Sequence, residues 1–449
     1  MNEFQIEANA VIDGGIASVR LEIADGVIQD IQKVECVSNP GLILFPGFID
    51  VHVHARDYSL PGDSSPEYKS AWERMTAKES FITAGQAAVN GGVTLYAAMP
   101  NDPVPPDNPV TYSLKKQASE SSPCPVLIFS CITASSSPWA DIPYKLYLDH
   151  KESASSFSYW RDVEDALSRY SNHHVFFHAE DPVILQENSH FHERWRSRPP
   201  DAEISAVRKI LELTGKYSLR THICHVSTTQ AVKLVHEYNT NSSQKVTCEV
   251  TPHHLFFSVD DSGVFADGAV VQFNRSFFDC NPPLRSESER LGMLEMLADG
   301  FIDMIAGDHA PHTNQDKLGG APGMPHLDTY GAFAAWLINR QRISPEKIAD
   351  LFSRAPASLM KNYLHKGYGH LKIGNPANIT GLDLNGRTVV MGSMIRDRGP
   401  LRTKCGWSPF EGTTFHHKVV KTWVNGELVY TDGRVNDSIR GKRILFDPF

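Results

Sequence analysis

Short apolar runs recur eight times along the chain, each followed by polar sequence and, in most cases, by a segment with helical spacing. The runs lie near 46–54 (PGFIDVHVH), 93–99, 126–131, 143–148, 174–178, 220–225, 246–251 and 301–308. They are rich in Val, Ile, Phe and Tyr, which suit a pleated backbone. Between them, 74–90, 202–215 and 227–237 carry apolar residues at helical spacing. Strands that alternate with helices predict a parallel sheet, because parallel neighbours need a crossover. Eight is the number that closes a barrel. The expected fold is therefore α/β, with a (β/α)8 TIM barrel over 46–374.

The ends of the chain read differently. Residues 1–45 and 375–449 hold short β-like runs punctuated by turn residues, such as Asp13-Gly14-Gly15 and the hairpin signal Asn425-Gly426. The two termini are expected to meet in a small β-sandwich domain beside the barrel. A length of 449 residues suits that arrangement. No apolar run approaches the roughly 18 residues that cross a bilayer. The first residues lack a basic region followed by an apolar one. A net charge of −9, with no dense Lys/Arg run, argues against a nucleic-acid partner. The cysteines (Cys36, Cys124, Cys131, Cys224, Cys248, Cys280 and Cys405) are dispersed, with no C-x-x-C pair. That usage favours a reducing cytoplasm over a disulfide framework. A cytoplasmic protein with neither membrane nor nucleic acid as partner is expected.

The chemistry begins at His52-x-His54-x-Arg56. Side chains two apart on a strand share a face, so the three project together from the first strand's end. With 20 histidines in 449 positions, chance alone yields about one H-x-H pair. The chain has two; the other, His190-x-His192, lies in polar sequence and reads as a solvated loop or helix start. Other strand ends decide between ligation and packing. The fourth ends near Lys145, the fifth at His178 with Glu180 beyond, the sixth at His225 and the eighth at Asp308. Singly, each could be structural: buried imidazoles are often merely hydrogen-bonded, and Asp often caps a helix. Together they place ligand types on the rim where barrel enzymes carry their sites. Four His, one Asp and one Lys exceed the needs of one tetrahedral ion and suit two divalent metals. By period two, His222 is expected to point away from that cluster.

With those residues in place, the chain resembles the amidohydrolase superfamily from about 44 to 430. The resemblance rests on PGFIDVHVH, Lys145, HAE at 178–180, CHVST at 224–228, GDHAPHT at 307–313 and SPFEG at 408–412. More specifically it resembles class I dihydroorotases, on HVHARD at 52–57, MPN at 99–101, TPHHLFF at 251–257, NPPLR at 281–285 and DHAPHT. The resemblance implies His52 and His54 as ligands of one metal and His178 and His225 of a second. It implies Lys145, N6-carboxylated to a carbamate, as the bridge between them. Asp308 would be both a ligand and the catalytic proton shuttle. Arg56, Asn101 and His312 would hold a substrate carboxylate, Asn281 would contact the ring, and Pro322-Gly323 would lie beside it. The implied reaction interconverts L-dihydroorotate and N-carbamoyl-L-aspartate, with a metal-bridging hydroxide as nucleophile. Zinc is the expected metal, although such ligands also accept cobalt or manganese. A homodimer is expected by analogy alone. The run DYSLPG after Arg56 is longer than the family's usual D-P-G, and His326 stands where glycine is frequent. Allantoinase or hydantoinase activity on the same scaffold is the alternative. A non-catalytic barrel ranks lower, because all six ligand positions are filled. Residues 149–160, with a Ser-rich patch, are the candidate for a loop that closes over substrate.

Overall fold

The computed structural model describes residues 3–60, 64–151, 153–260, 275–391 and 401–436. All eight expected barrel strands form. The first four are Phe48–Val53, Val93–Ala98, the split pair Val126–Ile128 and Ser130–Cys131, and Tyr144–Leu148. The last four are His174–His178, Arg220–Ile223, Val246–Val250 and Met304–Ile305. Each pairs in parallel with its neighbours in chain order. The ring closes where Val53 bridges His309. There His54 N–H donates to His309 O (2.8 Å) and His309 N–H to His52 O (3.2 Å). Asp50 Oδ1 accepts from Gly307 N (2.8 Å). The eighth strand is shorter than the expected 301–308. Its end is shaped by that closure: a Cβ on Gly307 would stand 2.3 Å from Asp50 Oδ2, and Asp308 then turns to a left-handed φ of 42°.

Alternation along the strands separates two cores. Ile49, Val51, Leu95, Phe129, Phe176 and Met304 face inward and are closed off at one end by Met360 and Tyr363. Phe48, Tyr96, Tyr144, Phe177 and Ile223 face the surrounding helices. The helical patterns at 202–215 and 227–237 are the helices Pro200–Tyr217 and Thr229–Asn241. The pattern at 74–90 is not one helix but two, Pro66–Thr76 and Phe81–Asn90. The break at 77–80 is set by a reciprocal cap: Ser80 Oγ accepts from Thr83 N (3.3 Å) and Thr83 Oγ1 from Ser80 N (3.1 Å). Apolar spacing runs straight through the break, so periodicity could not show it.

The terminal strands form one eight-stranded sheet. Glu3–Ile12, Gly15–Ala24, Val27–Lys33 and Leu42–Pro46 come from the N-terminal side. Ile379–Val389, Thr414–Val424, Glu427–Thr431 and Arg434–Val435 come from the C-terminal side. The two sets join where Ile379–Val389 runs antiparallel to Leu42–Pro46. Both expected turns are two-residue hairpins, with Gly14 at φ 96° and Asn425 and Gly426 at 51° and 75°. The parts of the C-terminal expectation at 392–400 and 437–449, and residues 61–63 of the loop after Arg56, lie outside the described residues. Among the described residues, no helix is long and apolar enough to cross a membrane. All seven cysteines are free.

The Ser80 cap gives a direct test. Ser80→Ala should lower unfolding free energy by about 0.5–2 kcal/mol, read as a shifted urea midpoint with an unchanged m-value.

Candidate metal centre and active site

His52 and His54 leave the first strand on the face that meets the eighth. Asp308 Oδ1 stands 3.4 Å from His52 Nε2 and 3.1 Å from His54 Nε2. His178 Nδ1 stands 3.0 Å from His225 Nε2. Donors on one tetrahedral zinc are about 3.3 Å apart, given Zn–N distances of about 2.0–2.1 Å. Both groupings therefore have the spacing of a shared coordination sphere. Burial, with the Lys145 charge next, lowers the His52 pKa. Burial and then Arg56 hold His54 well below its usual range, and burial and then His178 do the same for His225. Neutral imidazoles offer lone pairs, which a cation requires.

Three of the four rings are aimed by a second bond, while His225 Nδ1 is buried without a partner among the described residues. His52 Nδ1–H donates to Glu249 Oε1 (2.5 Å). His54 Nδ1–H donates to Asn101 Oδ1 (2.6 Å). His178 Nε2–H donates to Glu180 Oε2 (2.9 Å). In each case the nitrogen facing the cluster is left unprotonated. Glu180 is in turn forked by Arg198, whose Nη2 lies 2.6 Å from Oε2. Glu249 is wholly buried and also accepts from His222 Nε2 (3.0 Å) and the His225 backbone N (3.3 Å). Burial works against the Glu249 charge. Attraction to His52 and hydrogen bonds from His222 and His52 outweigh it and hold the carboxyl well below the carboxylate range.

Glu249 is a residue that sequence reading missed, although a lone acid in the apolar run VTCEVT was a visible signal. His222 also differs from expectation. It does not reach the ligand cluster, yet it points inward and shares Glu249 with His52. His225 has left the strand with a left-handed φ of 37°, so counting by twos between the two histidines does not hold.

Lys145 lies beneath the cluster, fully buried. Its Nζ is 2.8 Å from Cys224 Sγ. Its charge is felt by His52, His54, His225 and Asp308. A thiol is a poor partner for a buried ammonium. Carboxylation would replace that ammonium with an anion facing the imidazoles.

The five His and Asp side chains open into a cavity of about 310 Å³. Arg56, Asn101, Asn281, Pro322 and Gly323 line the same cavity, as do Ser153, Ser155 and Ser156 of the candidate closing segment. Arg56 is buried, with a φ of 58° and an Nε that has no partner. Among the described residues it makes no ion pair. His312 stands beside it, with Nε2 3.3 Å from Arg56 Nη2. Gly323 has both backbone groups committed: N–H to Asp279 O (2.8 Å) and C=O to Lys317 Nζ (2.9 Å). It shapes the wall through its missing side chain, since a Cβ would meet Ala310 O at 2.5 Å.

A second buried convergence, His253, His254 and Cys280, has the spacing of a metal site, but both ring nitrogens of His254 are committed elsewhere. His254 Nδ1 bonds Thr251 Oγ1 (2.7 Å) and Nε2–H bonds Pro282 O (3.1 Å). His326, where the family often has glycine, instead packs on His253, with Nε2 2.9 Å from His253 Nδ1. His190 and His192 are exposed, as read.

A parallel barrel with buried, oriented imidazoles and an acid at the mouth of its strands defines a metal-dependent hydrolase. Comparison with known proteins agrees. Residues 43–429 match the model of the amidohydrolase family. The chain is 30% identical to a dihydroorotase of Pyrococcus abyssi, over 97% of this chain and 95% of that one. It is 30% identical to a dihydroorotase of Thermococcus kodakarensis, over 99% and 98%. The fold superposes on an L-hydantoinase (dihydropyrimidinase) from Arthrobacter aurescens with a TM-score of 0.81, at 22% identity, covering 96% of each chain. The chain belongs to the amidohydrolase family. It is a hydrolase that acts on cyclic amides.

Glu249 generates the prediction here. Glu249→Gln should weaken divalent-metal affinity about 10–100-fold, the usual cost of losing such a partner. Titration against a competing chelator measures it. Unchanged affinity would show that His52 needs no such support.

Proposed function

We propose that the chain is a dihydroorotase, interconverting L-dihydroorotate and N-carbamoyl-L-aspartate in pyrimidine synthesis. One observation carries the reading: Arg56, a buried guanidinium on the cavity wall without an ion-pair partner among the described residues. Burying such a charge is costly unless an anion meets it. A planar carboxylate fits its fork. Dihydroorotate has that carboxylate; hydantoin and allantoin do not.

We propose His52, His54, His178, His225, Asp308 and carboxylated Lys145 as the ligands of two divalent ions, most simply zinc. Bound there, the ions would supply a water activated near neutral pH and polarise the ring carbonyl. The remaining work falls to the chain. Arg56, Asn101 and His312 fix the carboxylate, which orients the ring and removes entropy cost from the reaction. Asn281, held by Arg194 Nη1 at 2.8 Å, lines the same cavity and would contact the ring amide. Asp308 takes the proton of the attacking water and returns it to the leaving ring nitrogen, acting as base and then acid.

The test is a substrate panel of L-dihydroorotate, N-carbamoyl-L-aspartate, hydantoin and allantoin with the metal-loaded enzyme. Dihydroorotate should lead by at least about 10²-fold in kcat/KM, because a site built for a polar group rejects analogues that lack it. A preference for hydantoin would overturn the reading. Asp308→Asn should cut turnover by about 10²–10⁴-fold. Arg56→Lys should leave metal content unchanged and lower kcat/KM by more than about 10-fold, the scale of a charged hydrogen bond; full activity would place the carboxylate elsewhere.

A further inference from the structure

The break between the helices Pro66–Thr76 and Phe81–Asn90 aims Lys78 at the rim. Its Nζ lies 3.4 Å from His312 Nδ1 and 3.5 Å from Asp316 Oδ2. On the other side of the same ring, Nε2 faces Arg56 Nη2 at 3.3 Å. His312 is thus bracketed by two cations.

A neutral imidazole has one N–H and one lone pair, while Lys and Arg only donate. Burial, with Arg56 and Lys78 next, holds the His312 pKa well below its usual range, so the ring is neutral. One of the two contacts must therefore set donor against donor. With the lone pair on Nε2, the N–H on Nδ1 confronts Lys78. With the lone pair on Nδ1, Lys78 is satisfied and the N–H on Nε2 points to the Arg56 side. The second conflict disappears when an anion seats at Arg56, because the Nε2 proton then has an acceptor. The first persists whatever binds: Asp316 Oδ2 is 3.9 Å from Nδ1, beyond hydrogen-bond reach, and is already engaged by Thr313. Trp407 Nε1–H fixes the backbone at His312 through its carbonyl (2.7 Å). Asp316 keeps the ammonium in place: its Oδ2 is itself fixed by Thr313 N (3.0 Å) and Thr313 Oγ1 (2.8 Å).

We infer that Lys78 is a positioning residue for the substrate carboxylate, selecting the His312 tautomer that carries its proton on Nε2 beside Arg56. The inference rests on the reading of the substrate as a carboxylate. Lys78 acts through His312 and adds positive charge behind Arg56.

The experiment compares the metal-loaded wild type with Lys78→Met and Lys78→Arg. Lys78→Met should raise KM for L-dihydroorotate about 10-fold or more, the scale of one charge-assisted hydrogen bond. Its kcat should stay within about 3-fold. Lys78→Arg should recover KM to within about 3-fold of wild type. Nitrogen-15 spectra of histidine-labelled protein give a second readout, with His312 assigned by loss of its signals in His312→Gln. Nε2 should carry the proton in wild type, and the two tautomers should mix in Lys78→Met. A lower Tm with unchanged KM and unchanged His312 signals would overturn the inference, leaving Lys78 as a staple for Asp316. Should the wild type fail to turn over dihydroorotate, the substrate reading falls, and the His312 signals alone then decide the role of Lys78.

Discussion

A neutral imidazole aims its lone pair at one fixed point when its other nitrogen is bonded elsewhere, and much of this site depends on that constraint. Three histidines meet it with three different partners: Glu249 for His52, Asn101 for His54, Glu180 for His178. The partners come from different strand ends, so tautomer and ring orientation are set by the barrel as a whole. Glu249 does the most. From the seventh strand it holds a ring on the first, a ring on the sixth and the backbone where His225 leaves the sixth. An ionised carboxylate in a dry interior is tolerable because all of these donors converge on it.

Charge is divided across the cavity. Carboxylates lie under the imidazoles, and cations stand to one side, where Arg56, Lys78 and Lys317 approach the same rim. Lys317 has a different task from the other two. Its ammonium is buried and donates to the carbonyls of Asp279, Ala321 and Gly323. Those acceptors use all three of its N–H groups. It therefore fastens the segment ahead of Asn281 to the Pro322-Gly323 wall, while Arg56 makes no ion pair among the described residues.

Much of this was legible in the sequence, for a physical reason. Strand ends can be found from apolar runs, and a barrel converts remote strand ends into neighbours; that brought His52, His54, His178, His225 and Asp308 into one reading. What escaped has causes as definite. Lys78 sits in a helix break hidden by continuous apolar spacing, since a cap is chosen by hydrogen bonds and not by hydropathy. Glu249 was visible as a lone acid, but its partners belong to other strands. The period-two argument for His222 failed because it was carried past the point where the backbone leaves the β region. His312 was read as holding the substrate carboxylate with Arg56, and its Nε2 stands 3.3 Å from Arg56 Nη2.

The seam between the first and eighth strands has a temporal consequence. Asp50 and Gly307 are 257 positions apart, and the bond between them stands beside the one place where His52 and His54 meet Asp308. Contacts of such span form late, after the entropy of closing the intervening loop has been met. A nascent chain carries its first imidazole pair through most of its own synthesis before the opposing carboxylate exists. Any cation held by that pair and Asp308 together would have to await that closure.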